Sequence, residues 1–189
     1  VVSKNLYPLA YDIFERNKFE GHTMLPVLDS FKEKYNLDQM VIIADSGLLS
    51  NTNIKELESG GYEFILGARI KNEKRYIQRK ILYLKLKNTE SAVVEKGNLK
   101  LIVSYSDNRA KKDLQNRERG LKKLEKQIKT GRLTKSNINN RGYNKYLKME
   151  GNISIVIDYS KFKADSAWDG LKGYLTNANL SKDEVIANY

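Results

Sequence analysis

Apolar positions in the first third of the chain fall into short runs separated by polar clusters, and each run has its own period. Leu9, Tyr11 and Ile13 alternate within Tyr7–Phe14, which predicts a strand. Met24, Val27, Leu28, Phe31 and Tyr35 recur at helical spacing, with Thr23 as the expected N-cap and Pro26 in the tolerated first turn. The run Val41-Ile42-Ile43-Ala44 does not alternate, and it predicts a strand covered on both faces. Capping side chains at residues 50–53 precede a short helix over Ile54–Glu58, closed by Gly60 and Gly61, and Tyr62–Leu66 forms the next strand. This β-α-β-α-β order up to about residue 68 predicts an α/β sheet.

The pattern then changes. Over Arg69–Lys87 basic residues are interleaved with Ile, Tyr and Leu, and two strand-like pieces follow at Ala92–Val94 and Leu99–Tyr105. The clearest helix runs from Asp107 to Thr130, where Ala110, Leu114, Leu121, Leu124 and Ile128 make a narrow apolar seam. The rest of that cylinder carries Arg109, Lys111, Lys112, Arg117, Arg119, Lys122, Lys123, Lys126 and Lys129, partly offset by Asp107, Asp113, Glu118 and Glu125. Such a face suits either solvated i,i+4 pairs or a polyanion. Thr134–Tyr146 is polar enough to be a loop, Ile153–Ile157 is a strand, and Trp168–Thr176 is a turn leading into a strand. Ser181 and Glu184 have capping-box spacing and open a helix expected to continue beyond Tyr189.

Charge narrows the partners. Lys and Arg number 34 against 23 Asp and Glu, a net +11, which favours a polyanion: nucleic acid first, an anionic membrane surface second. No apolar run approaches the roughly 18 residues of a membrane span. Without cysteine the chain has no disulfide, zinc ribbon or thiol nucleophile, and a reducing, cytoplasmic setting is permitted. The lone His22 cannot build a histidine-rich metal site and reads as a polar residue at a helix start.

Asp45 is the leading chemical candidate, because the carboxyl ends of strands line the functional crevice in open α/β sheets. The alternative is that it only orders the turn with Ser46 and Gly47. Asp12, Glu15 and Glu20 rank behind it, and Glu184 reads as a capping residue. Asp165 and Asp169 flank Trp168, a core anchor or else a base-stacking aromatic. Arg69, Lys71, Lys74, Arg75, Arg79 and Lys80, with Tyr76 among them, are the candidate phosphate contacts, and Arg109, Lys111 and Lys112 add to them from the long helix.

Six collinear segments resemble a bacterial insertion-sequence transposase of the IS4 type, close to its IS1634-like branch. They are PLAYDIFE, FEGHTMLPVLD, VIIADSGLLSNTNIKEL, GYEFILGAR, SYSDNRAKKDLQNRERG and DGLKGYLTN with its continuation to Tyr189. The resemblance implies a ribonuclease-H-like core of the DDE class: a mixed sheet with flanking helices and an inserted strand-plus-long-helix subdomain. In that scheme residues 1–68 are core lacking its first strand, 69–157 the insertion, and 158–189 the return to the core. Asp45 aligns with the family's second catalytic aspartate and with a ligand of two Mg²⁺ (or Mn²⁺) ions. Tyr189 aligns with the tyrosine opening the Y-R-E-K signature. The first aspartate and the final glutamate would then lie outside the chain, leaving it inactive alone. Implied partners are transposon-end and target DNA, bound by a homodimer in the bacterial cytoplasm and nucleoid, with no membrane. Arg16 and Ser46 depart from the glycine and arginine commoner at their positions. Two other readings compete: a noncatalytic nucleic-acid-binding module, and a phosphatase or receiver-like enzyme. The second of these lacks its DxD motif and Lys-Thr pair.

Overall fold

The computed structural model describes residues 20–37, 40–47, 50–151 and 154–189, with side chains from residue 25 onward. The expected strand at Tyr7–Phe14 and the candidates Asp12 and Glu15 lie outside the described residues, as do Arg16 and the side chains of Glu20, His22 and Thr23. In chain order the elements are α1 (Glu20–Tyr35), β1 (Val41–Ala44), α2 (Asn51–Ser59), β2 (Glu63–Ala68), α3 (Arg75–Tyr83), β3 (Ser91–Lys96) and β4 (Leu99–Tyr105). They continue with α4 (Asp107–Lys129), β5 (Leu147–Glu150), β6 (Ser154–Ile157), α5 (Tyr159–Ala164), β7 (Leu171–Thr176) and α6 (Lys182–Asn188). Five strands form a mixed sheet in the order β1-β2-β7-β4-β3, and β5 and β6 pair separately. With helices flanking the sheet, this is the architecture expected of a ribonuclease-H-like fold.

The chain clusters into two compact units. The first takes residues up to Ala68, Gly97–Leu101 and Tyr174–Tyr189; the second takes Arg69–Lys96 and Ile102–Gly173. In the first, β1 and β2 run parallel with Val41 opposite Glu63 and Ala44 opposite Leu66, so both strands end at the same edge. The strand covered on both faces is β2, where Phe64, Ile65 and Leu66 are wholly buried. This corrects the expectation for the Val41–Ala44 run: Ile42 is buried, but Val41 and Ile43 are 37% and 42% exposed. Among the described residues β1 ends the sheet, and a terminal strand has fewer neighbours to cover its second face.

Local chemistry explains the helix ends. Ser50 caps α2, its hydroxyl accepting the Asn53 N–H at 3.0 Å, and Gly61 supplies the left-handed residue (φ 70°) beyond the helix. Helix α1 begins three residues before the expected cap at Thr23, so Pro26 lies inside it and not in its first turn. Packing of Phe31, buried and stacked on Tyr35 at 6.0 Å, accompanies a helix that tolerates this proline.

In the second unit, α3 resolves the basic stretch that periodicity left unassigned, burying Ile77 and Ile81 on its inner side. The long helix spans its expected range, and Leu121, Leu124 and Ile128 of its seam pack into the core, but the seam does not hold at Leu114. Leu114 is 41% exposed, while Arg117, Gly120 and Leu124 are buried. Any side chain at Gly120 would overlap the Tyr143 ring, so the helix places glycine where this ring passes close to its backbone. The stretch expected to be a loop contains two short 3₁₀ turns, at Lys135–Asn137 and Gly142–Tyr146. It leads into β5, which pairs antiparallel with β6 in the register Leu147 to Ile157. Leu124, Tyr146, Leu147 and Ile157 form the core of this part.

Candidate active site and cationic surface

Asp45 is exposed just past β1, at the edge where β1 and β2 both end. Its Oδ1 accepts the Gly47 N–H at 2.5 Å, closing the turn that the sequence suggested. That bond occupies one of about four lone-pair positions on the carboxylate. The turn therefore orients the group without exhausting it.

Where the chain leaves β7 for α6, polar contacts that the sequence did not reveal hold it to the start of β2, the end opposite Asp45. The Thr176 hydroxyl donates to the Phe64 carbonyl at 2.6 Å and accepts the Ala178 N–H at 3.0 Å. The Asn177 side chain accepts the Phe64 N–H and donates to the Tyr62 carbonyl, both at 2.9 Å. The amide so replaces a strand partner on β2 and fixes where the chain leaves β7. A Ser181–Glu184 capping box starts α6, as its spacing predicted: Glu184 accepts the Ser181 N–H at 2.9 Å and Ser181 accepts the Glu184 N–H at 3.2 Å. Hydrogen bonds from Ser181 hold the Glu184 carboxyl below its usual range, so this acid serves the cap. Wholly buried Val185 anchors the helix.

Tyr189 follows α6, with its ring edge-on to Tyr174 at 5.0 Å. Burial, the Asp45 charge and Tyr174 together raise its phenol pKa. Buried Gly67, near the end of β2, has both the Tyr189 hydroxyl and the Ser46 backbone nitrogen close to where a Cβ would stand. A glycine inside a strand was the one sequence signal for this close approach.

Asp165 and Asp169 have other work. Asp165 accepts from Lys145 and Tyr146, each at 2.5 Å, and from Lys71 at 3.0 Å. Burial alone would raise its pKa, but these three donors outweigh it and leave the carboxyl well below the ordinary range. Asp169 pairs with Arg117, whose guanidinium lies 5.3 Å from the Phe162 ring centroid. Arg117 is thus no part of the solvated face on which its position in the sequence placed it. Because Asp165 has a depressed folded pKa, its contribution to stability is complete above the unfolded pKa of about 4 and is lost as pH falls through the folded value. Asp165→Asn should therefore be less stable than wild type at pH 7, with the gap narrowing towards pH 2 in a series of thermal melts.

The cationic candidates separate by their surroundings. Lys71 is committed to Asp165, and Arg109 lies 3.7 Å from Asp113 in an i,i+4 pair. Arg69, Lys74, Arg75, Arg79, Lys80, Lys111 and Lys112 are all exposed. On α3 the outward face combines Arg75, Arg79 and Lys80 with Tyr76 and Tyr83, 54% and 83% exposed, and the Lys80 ammonium lies 6.0 Å from the Tyr76 ring centroid. A helix that offers cations and aromatic faces together suits a nucleic-acid backbone and its bases.

Among the described residues no three His, Cys, Asp or Glu side chains converge into a metal cluster. The donor type at Asp45 nevertheless fits a hard divalent cation, being an exposed carboxylate oriented by its own turn. Among the described residues no helix is long and apolar enough to cross a membrane. No curated protein and no solved structure matches the chain. A family model, described as the transposase DDE domain, matches it over residues 1–189. With that match spanning the whole chain and the strand-end aspartate on a mixed α/β sheet, the protein belongs to the transposase DDE domain family, enzymes that act on DNA.

Proposed function

We propose that the chain is a catalytic-core segment of an IS4-type insertion-sequence transposase, close to the IS1634-like branch, that cleaves and joins DNA at the element's ends. The observation that carries this reading is Asp45, exposed where two parallel strands end, in a turn that the tyrosine following α6 approaches at Gly67. Asp45 would hold a divalent ion, Mg²⁺ or Mn²⁺. A pair of such ions supplies an activated water and neutralises charge on the attacking and leaving oxygens. The chain's own residues position the group: the Gly47 N–H fixes the carboxylate, and Tyr189 packs close to the same turn at Gly67.

One carboxylate does not complete a two-ion centre, and by the resemblance the other acids, a first aspartate and a final glutamate, are assigned outside these 189 residues. The chain alone is then inactive. Residues 69–157 are read as the insertion subdomain between core segments. The protein acts as a homodimer on paired ends, in the bacterial cytoplasm and at the nucleoid.

The complete reading frame should cut DNA carrying the element's ends in Mg²⁺, and should bind without cutting in Ca²⁺. The 189-residue chain should bind but not cut. Cleavage that persists in a chelator would overturn the proposal.

DNA contacts are assigned to Arg69, Lys74, Arg75, Arg79, Lys80, Lys111 and Lys112, with Lys71 and Arg109 contributing less because each has an acidic neighbour. Arg75→Ala combined with Arg79→Ala should reduce the slope of log K against log salt by about 0.9 per lost contact, so by roughly 2 in all. Lys71→Ala should mainly lower the melting temperature. A salt slope unchanged in the double variant would remove α3 from the interface.

A further inference from the structure

The geometry points to Gly67 as a positioning residue for the Asp45 site, acting through Tyr189 and the Asp45–Gly47 turn; this inference rests on the role proposed for Asp45. Gly67 is buried in a strand, where glycine costs conformational entropy and contributes no packing. Its φ lies outside the left-handed range, so no special backbone conformation demands it. What demands it is space. A methyl group there would overlap the Tyr189 hydroxyl and stand 3.1 Å from the Ser46 nitrogen.

Two pieces of chain separated by over 140 residues of sequence thus close on one missing side chain. One is the turn whose Gly47 N–H holds the Asp45 carboxylate. The other is Tyr189, whose ring is edge-on to Tyr174 of β7 and which follows α6, a helix anchored by wholly buried Val185. The gap at Gly67 seats both against β2. A side chain at 67 must push out the phenol, the turn or both, and either movement re-aims Asp45. The phenol is the nearer obstacle and the turn the farther, so removing the phenolic oxygen should restore most of the fit.

The test is a cycle in the complete reading frame comparing wild type, Gly67→Ala, Tyr189→Phe and the double variant. Melting temperature is read on all four, together with cleavage of end DNA across a Mg²⁺ titration and end binding in Ca²⁺. Gly67→Ala should lower the melting temperature by roughly 5 °C. Its cleavage should fall by about a hundredfold, the penalty of an ångström-scale misplacement. The Mg²⁺ concentration for half-maximal rate should rise, with end binding unchanged. Tyr189→Phe on that background should recover most of the lost melting temperature and at least tenfold in cleavage. If Gly67→Ala does not fold, Gly67→Ala with Tyr189→Ala must fold for the inference to stand. Simple additivity of the two substitutions overturns it, as does a Gly67→Ala enzyme with wild-type metal dependence. The melting cycle needs no catalysis, so coupling there with no effect of Asp45 on cleavage would reject the role of Asp45 and with it the positioning function, leaving only a packing lock.

Discussion

Asp45→Asn in the complete reading frame should lower strand cleavage in Mg²⁺ by about a thousandfold or more, while end binding in Ca²⁺ stays at the wild-type level. The substitution is informative because of the Gly47 bond. An asparagine carbonyl can accept that N–H as the carboxylate does, so the turn survives and only the charge is lost. A residue that merely shaped the turn would tolerate the change, whereas a metal ligand would not, since a neutral amide is a poor partner for a hard divalent ion. Asp45→Ala should lose the turn bond as well, and should fall further in melting temperature than Asp45→Asn. If Asp45→Asn cuts like the wild type, the strand ends in a carboxylate for conformational reasons alone.

The largest effect on stability should come from Arg117→Ala, at about 3–5 kcal/mol in urea unfolding. The side chains of Arg117 and Asp169 are only 8% and 15% exposed, so truncating the arginine strands a nearly buried carboxylate. It also removes the cation over Phe162. The pair is imperfect, because the Arg117 Nε is buried without an acceptor. Replacing both charges should consequently cost less than removing one: Arg117→Met with Asp169→Asn should recover much of the loss of Arg117→Ala. Equal destabilisation by the single and the double variant would show that packing and not charge pairing dominates here.

Those two residues also mark where sequence reasoning stops. The helix bearing Arg117 is legible from its apolar period, yet the same period put Leu114 inside and Arg117 outside. Helical spacing defines a stripe but not its centre when the face is narrow. The choice fell to a distant carboxylate, Asp169, which draws the guanidinium inward. Strand β5 escaped notice because Leu147–Glu150 is too short and polar to declare itself, and it becomes a strand by pairing with β6. Conversely, the Ser181–Glu184 cap was readable because it depends on atoms three residues apart.

By itself the sequence determined the local and the additive properties. These include the alternation of helices and strands from Glu20 to Ala68, the caps at Ser50 and Ser181, the long basic helix, the net positive charge and the aspartate at a strand's end. Each depends on neighbours a few residues away or on a sum over composition. Tertiary structure alone decided which strand lies deepest, which acids are spent in ion pairs, and what stands beside Asp45. The physical reason is that burial and electrostatic partnership are set by groups far apart in the chain, as when Tyr189 and Ser46 both close on Gly67.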